Sequence, residues 1–230
     1  MFIFPTHLFN PAQIKTRLGG ISVTGGESLS GETDVIRTDG GGYWLIEMKG
    51  IELITPDLIR AWRAWESELA GGVEKVVVPV MDIRQAPYVA GFSKALPAGS
   101  GDSYFPDIAN YAAPPVMAQI TVSAALRATE ITVNVTAGLP LKGGEHFGID
   151  HGGTLGWRLH RVRRVVSRPT ATSAVIKIEP PLRGPITGTP KSVNFSWPMV
   201  VASLLPEADI APDIMYGRQA TVDIAFREAF

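Results

Sequence analysis

The sequence predicts a mainly β fold with one packed α-helix, and three observations support this class. Glycine (24 residues) and proline (18 residues) are abundant in a chain of 230 residues, which favours many short strands joined by turns. Short apolar runs alternate with turn residues along most of the chain. Helical periodicity is clear in one stretch only. We therefore expect one helix lying across a sheet, followed by a second β-rich region whose hairpin spacing is typical of a barrel or sandwich.

Composition excludes several functional classes. The chain is 45% apolar and 19% charged, with a formal net charge of −1, so it can bury a core and has no global attraction to nucleic acid. The absence of cysteine rules out disulfides, a thiolate nucleophile and Cys-ligated metal. No apolar run approaches the roughly 18 residues of a membrane span, and the N-terminus does not resemble a signal peptide. We expect no membrane insertion.

Turn signals separate four short strands in the first 54 residues. Two glycines at 19–20 divide the first two of these strands. Asp39-Gly40 lies between the last two, and because Asp and Gly accept positive φ at low cost we expect a tight hairpin there. The predicted strands are Ile14–Leu18, Ile21–Val23, Thr33–Thr38 and Tyr43–Met48.

A single helix is predicted over residues 55–70. Thr55 suits the N-cap and Pro56 the first helical position, while Gly71-Gly72 should end the helix. An apolar stripe recurs at helical spacing, formed by Leu58, Trp62, Trp65 and Leu69. A tryptophan pair at this spacing belongs to a core more often than to a ligand pocket. A strand over 73–80 should follow.

The stretch 91–115 is rich in Gly, Ser, Asp and Pro, which predicts a long connection. The predicted division of the chain has a first domain of residues 1–95 completed by about 206–230, a linker over 96–111, and an inserted domain over 112–205. Apolar and polar residues alternate regularly over 220–230, which predicts a strand that belongs to the sheet of the first domain. Strands of the second region are expected at Gln119–Val122, Glu130–Val135, His146–Ile149, Gly156–Val166, Ala174–Ile178 and Val193–Phe195.

Two clusters carry the residue types of catalytic or metal sites, and we interpret both as structural. His146 and Asp150 would share one face of a strand while His151 points to the other, so three ligands on one metal would need a bend. Asp102 and Asp107 could act as paired carboxylates, but they lie in a Gly- and Ser-rich stretch with nothing to separate their pKa values. No motif of a nucleophile, phosphate loop or dinucleotide site is present. We expect no enzyme activity, cofactor or metal.

The basic stretch 157–168 contains Arg161, Arg163 and Arg164. A short basic stretch in a chain of near-neutral charge is weak support for nucleic-acid binding. We therefore interpret residues 157–168 as part of a hairpin that faces solvent or a neighbouring subunit. Arg183 lies in the proline-rich stretch 178–190, which we expect to end a strand, with Leu182 turned to the barrel and Arg183 pointing outward. No nucleophile or base accompanies Arg183, so it should lock a turn or reach a neighbouring subunit.

The order of these motifs resembles tail proteins of long-tailed phages, prophages and gene transfer agents, most closely the distal tail protein class. The stretches that carry the resemblance are DGGGYW (39–44), the helix stripe, VVVPVMDIR (76–84), ITVNV (131–135), GGEHFG (143–148), RLHRVRRV (158–165), IKIEPPLR (176–183) and FSWP (195–198). The resemblance implies a tail-tube-like β-sandwich with one packed helix, followed by a second β-rich domain.

The resemblance also implies a function and partners. The expected assembly is a homo-oligomeric ring, usually a hexamer, in a virion tail assembled in a bacterial cytoplasm. A tail tube protein would lie above the ring and a hub protein below, and the lumen would continue the DNA channel. Candidate subunit-interface residues are Arg161, Arg163, Arg164, Arg183, Tyr104 and Phe105. Two alternatives stay open: a glycan-binding tail module using Tyr104, Phe105 and Tyr111, and, with less support, a hydrolase using Asp102, Asp107, His146 or His151.

Overall fold

The computed structural model describes residues 1–27, 29–31, 33–38, 40–80, 87, 116–206, 208, 210–215 and 219–230. The fold is mainly β, as predicted. The chain divides into two compact units: Met1–Val80 with Val201–Phe230, and Met81–Val200. The first unit was expected to end near 95 and to resume near 206. The predicted linker, 96–111, lies outside the described residues.

One α-helix and fifteen strands are present in the described ranges. In chain order they are β1 (Phe2–Ile3), β2 (Gln13–Gly19), β3 (Ser22–Glu27), β4 (Thr33–Arg37), β5 (Tyr43–Leu53), α1 (Pro56–Leu69), β6 (Val76–Pro79), β7 (Met117–Ile120), β8 (Glu130–Ala137), β9 (His146–Asp150), β10 (Trp157–Ser167), β11 (Ser173–Glu179), β12 (Lys191–Val193), β13 (Met199–Leu204), β14 (Asp213–Met215) and β15 (Gln219–Glu228).

The first unit is built on a seven-stranded sheet of order β1-β6-β13-β15-β5-β2, with β14 also paired to β15. The alternation of residues 220–230 is that of a strand with one buried face, since Ala220, Val222, Ile224 and Phe226 are all buried. This strand pairs antiparallel with β5, where Phe226 lies opposite Ile46. The C-terminal segment therefore occupies the middle of the sheet.

The hairpin predicted at Asp39-Gly40 is wrong. Strand β4 pairs with β3, whereas β5 pairs with β2. The chain therefore reverses direction between β3 and β4. These two strands form a separate two-stranded sheet that follows on from the β2–β5 pair. The junction needs glycine: Gly42 has φ 84°, and a Cβ there would lie 2.2 Å from the carbonyl oxygen of Gly19. Asp39 lies outside the described residues.

Helix α1 begins as predicted, because the Thr55 hydroxyl accepts a hydrogen bond from the Leu58 amide (3.2 Å). The helix ends one residue before the predicted glycines, with Ala70 at φ 45° in the left-handed conformation. Trp62 is buried with Leu69, and its ring meets those of Phe4 and Phe9 edge-on. The stripe thus covers one face of the sheet, as the sequence pattern indicated.

The second unit contains a nearly closed antiparallel barrel. Its six strands follow the order β12-β7-β8-β11-β10-β9, and the two ends of this path are joined by a pair of hydrogen bonds between Gly148 of β9 and Asn194 next to β12 (2.8 and 2.9 Å). The observed strands match the predicted ones within three residues at each end.

The proline-rich stretch after β11 crosses the barrel and contributes to its core. Strand β11 ends at Glu179, directly before the two prolines, as predicted. Leu182 and Ile186 are buried in the core cluster, and the Ile186 amide exchanges hydrogen bonds with Ala124 (2.8 and 3.0 Å). The apolar side chains of this segment therefore form part of the barrel core, and we call residues 180–190 the plug.

Candidate assembly surfaces

The predicted interface arginines of β10 have different environments. Arg161 is half-buried and forms an ion pair with Glu179 on the neighbouring strand (3.1 Å). Arg163 and Arg164 are exposed next to a register shift between β10 and β11. Arg183, which was expected to point outward, is half-buried, and its charge lowers the pKa of His160.

A fully buried basic pair was missed from the sequence. Arg158 and His160 were interpreted as part of a solvated or subunit-facing hairpin, yet both are 0% exposed. Their register partners on β9 are Ile149 and Phe147, which belong to the barrel core. Positions 158, 160 and 162, which precede the register shift of β10, therefore face the interior. The sequence pattern gave little indication of which face of β10 is buried, because both faces of this strand carry basic as well as apolar residues.

Burial controls the charge of the two nearby histidines. Nδ1 of His160 lies 2.9 Å from the Pro180 carbonyl oxygen, so Nδ1 carries the proton. Burial, helped by smaller effects of His151, Arg183 and Arg158, lowers the pKa of His160 to about 3, although the hydrogen bond to Pro180 raises it. Burial, with Lys191 and Arg158, also lowers the pKa of His151. Both imidazoles are neutral at pH 7.

Asp150 and His151 of the 146–151 cluster lie against glycines of neighbouring turns. The Oδ1 atom of Asp150 accepts a hydrogen bond from the Gly152 amide (2.8 Å). The ring of His151 lies against Gly184, where a Cβ would come within 3.0 Å of Nδ1. No group of three His, Asp or Glu side chains suited to a metal ion occurs among the residues that the structure describes.

Several predicted site residues cannot be placed. Tyr104, Phe105 and Tyr111, and the acidic pair Asp102 and Asp107, lie outside the described ranges. In the described part of the chain no helix has the length and apolar character of a membrane span.

The two strands at the ends of the first unit's strand order have an open edge among the described residues. Strand β1 lies at one end of the strand order and β2 at the other, and neither pairs with a further strand in the described ranges. Phe2 and Ile3 of β1 are 64% and 56% exposed. The two edges differ in sequence and in direction of pairing, since β1 runs parallel to its neighbour and β2 antiparallel.

A second exposed surface is the β3–β4 hairpin, residues 22–37, which we call the arm. Val23 and Ile36 are register partners on one face and are 59% and 66% exposed, while Val35 is 65% exposed and Leu29, between the strands, is fully exposed. Neither strand pairs with another sheet among the described residues. The Thr38 hydroxyl fixes the base of the arm by donating to the Gly20 carbonyl (2.7 Å).

The face of the first unit's sheet opposite α1, which we call the open face, contains a cavity of about 250 Å³. Its apolar lining includes Leu45, Leu205, Ala208 and Ala225. Charged side chains surround this lining: Arg17 and Lys15 approach Glu47 at 3.5 and 4.0 Å. Arg227, the register partner of Leu45, stacks over Tyr43 with its guanidinium carbon 4.0 Å from the ring centroid.

Neither the comparison with protein-family models nor the search of curated proteins found a match. The arguments on function therefore rest on the motifs of the sequence and on the surfaces described above.

Proposed function

We propose that this chain is a structural component of a phage-like virion tail, a distal tail ring subunit that joins the tail tube to the tip hub and continues the DNA channel. The observation that carries the proposal is that the first unit has two dissimilar open sheet edges and a separate apolar arm. A free edge of unpaired backbone groups favours pairing with another chain. These surfaces favour assembly with other chains over a monomeric state.

The dissimilarity of the surfaces favours a ring over a two-fold dimer. A two-fold interface buries the same patch of both subunits, whereas contacts between different patches repeat head to tail and form a ring when the rotation closes. The six-fold order that we propose comes from the resemblance to distal tail proteins. The formal net charge of −1 allows subunits to pack without strong mutual repulsion.

The second unit supports a structural role rather than a catalytic one. The imidazoles of His151 and His160 are neutral and lie against the plug, and its strands form a nearly closed barrel. We propose that it is a rigid module carried by the ring-forming unit, with Arg163 and Arg164 available for contacts with carboxylates of a neighbouring tail protein.

The test is the assembly of the full chain. Native mass spectrometry and electron microscopy of the purified protein should show closed rings, with six copies as the expected number. In intact tails, a label at the C-terminus should appear as one band at the junction of tube and tip. A chain that stays monomeric at high concentration and does not join tails would contradict the proposal.

A further inference from the structure

We infer that the plug is an acid-sensitive segment: protonation of the buried imidazole of His160, and of His151 beside it, releases the plug while the strands of the barrel stay paired. This conformational change lies within the second unit, so it does not depend on the proposed assembly.

The plug is attached to the barrel outside the strand ladder. Strand β11 ends at Glu179 and β12 begins at Lys191, so none of the described strands of the six-stranded sheet lies within the plug. The amides of Leu182 and Ile186 donate to carbonyl oxygens of the loop 124–128 at 2.9 and 2.8 Å. The ladder can therefore persist when these contacts open, in the manner of a local unfolding unit.

Two imidazoles hold the first half of the plug. Nδ1 of His160 donates to the Pro180 carbonyl (2.9 Å), and the ring of His151 donates to the Pro185 carbonyl. The Nε2 atoms of both rings are buried without a hydrogen-bond partner among the residues that the structure describes. A second proton on either ring would therefore have no acceptor while the plug is in place, and a buried charge without a partner is costly.

The groups that face His160 oppose a positive charge on its ring. Arg158 lies two residues away on the same strand, Arg183 lies on the plug, and His151 follows β9; each of the three lowers the pKa of His160. From β9 the uncharged ring of Phe147 packs against it, with the ring centroids 5.6 Å apart. Protonated His160 would thus be an additional cation in an apolar site that already contains arginine.

The surroundings of His151 act in the same direction. Lys191 of β12 and Arg158 of β10 lower its pKa, as burial does, whereas the carboxylate of Asp150 raises it. This carboxylate also accepts a hydrogen bond from the Gly152 amide (2.8 Å). The cations outnumber the one carboxylate among the described groups that face the ring, so protonation of His151 is disfavoured while the plug is in place.

Acid should therefore favour the released plug. The pKa of His160 is about 3 with the plug in place, against an ordinary value of 6.5. An imidazole that regains its ordinary pKa on release takes up a proton below pH 6.5 that the packed imidazole excludes. The ratio of released to packed plug should rise about thirtyfold between pH 8 and pH 5 for His160 alone. The lowered pKa of His151 adds to this rise.

Hydrogen exchange of the full-length protein tests the inference. The amides of Leu182 and Ile186 report on the plug, and those of Val135 and Val162, which donate at 2.8 Å to carbonyl oxygens of the same unit, report on the barrel wall. Protection factors, referred to an unstructured peptide at the same pH, remove the intrinsic pH dependence of exchange. Protection of the plug should fall about thirtyfold from pH 8 to pH 5 and then lie at least about tenfold below that of the wall.

Histidine variants assign the pH dependence to its source. His160→Asn retains a donor for the Pro180 carbonyl but takes up no proton, so the fall in plug protection should shrink. It should disappear when His151→Asn is added. His7→Asn, at an exposed histidine of the first unit, is the matched control and should behave like the wild type. Carboxyl groups, whose ordinary pKa is about 4, titrate mainly below this pH range.

Two results would overturn the inference. Equal protection of plug and wall amides at pH 5 would mean that the plug opens only with the whole barrel. An unchanged fall in the double variant would mean that the two histidines do not control release. If the variants do not fold, the wild type decides: a fall that begins near pH 6.5 marks a histidine, and one that is equally steep above pH 7 contradicts the inference.

Discussion

The pKa of a single buried histidine makes the stability of the barrel depend on pH. His160 has an ordinary pKa of 6.5 when unfolded and a pKa of about 3 when folded, so below pH 6.5 the unfolded chain takes up a proton that the folded chain excludes. The free energy of unfolding should therefore fall with acidification, by up to about 1.4 kcal/mol per pH unit between pH 6.5 and 3.

Chemical denaturation at pH 8 and pH 5 measures this slope. The variant His160→Asn retains a donor near Nδ1 for the Pro180 carbonyl but cannot titrate, so its stability should depend less on pH than that of the wild type. An identical slope in both proteins would show that His160 does not control the acid sensitivity.

Arg158 and Arg164 offer a matched comparison of buried and exposed arginine on one strand. Arg158 is 0% exposed, whereas Arg164 is exposed. We expect Arg158→Ala to lower the free energy of unfolding by about 3 kcal/mol, because it removes a large side chain from a packed interior, and Arg164→Ala to change it by no more than about 0.5 kcal/mol. Urea denaturation of the two variants tests this, and equal effects would contradict the assigned orientation of β10.

At the scale of elements, α1 is held to the sheet mainly by Trp62. Its indole N–H donates to the Ile210 carbonyl (2.9 Å), and its ring fills the space beside Phe4 and Phe9. We expect Trp62→Phe to cost about 2–3 kcal/mol of stability, because the buried carbonyl loses its partner and the core loses volume. Trp65→Phe, at a half-buried position, should cost less than about 1 kcal/mol. Melting curves of both variants give the comparison.

The arm should be the least protected element of the monomer. Its backbone hydrogen bonds join only β3 to β4, and no described sheet covers either face, so local opening costs little. Hydrogen exchange at the amides of Thr24 and Val35 should be much faster than at Ile46 in the buried strand β5, and it should slow on assembly. Protection of the arm equal to that of β5 in the monomer would contradict this description.

Elements with strong local signals were predictable, and those that depend on distant partners were not. Thr55 and Pro56 fix the start of α1 within a few residues, so the sequence was sufficient there. Strand β4 could pair with β3, through a turn between those two strands, or with β5, through a turn at Asp39-Gly40. The Asp-Gly pair was the stronger turn signal in the sequence, but β4 pairs with β3. On β10 the polarity of Arg158 suggested an exposed position, while the barrel that buries it is formed by strands from 117 to 193.

At the scale of the whole molecule, the two units should differ in their ability to fold from one continuous segment. Residues 81–200 contain every strand of the barrel, so this fragment should fold cooperatively by itself. Residues 1–80 lack β13 and β15, and the latter lies between β13 and β5, so this fragment should stay unfolded. Joining 1–80 to 201–230 through a short flexible linker should restore folding. Circular dichroism and cooperative melting of the three proteins test the expectation.

The position of β15 also determines the order of events during synthesis. Strands β2 and β5 leave the ribosome early, yet the strand that connects β5 to β13 is not available until residue 228 has emerged. The barrel segment, which ends at residue 200, is complete before that point. If folding follows the order of emergence, the barrel is therefore complete before the sheet of the first unit, which cannot close until its last strand has emerged.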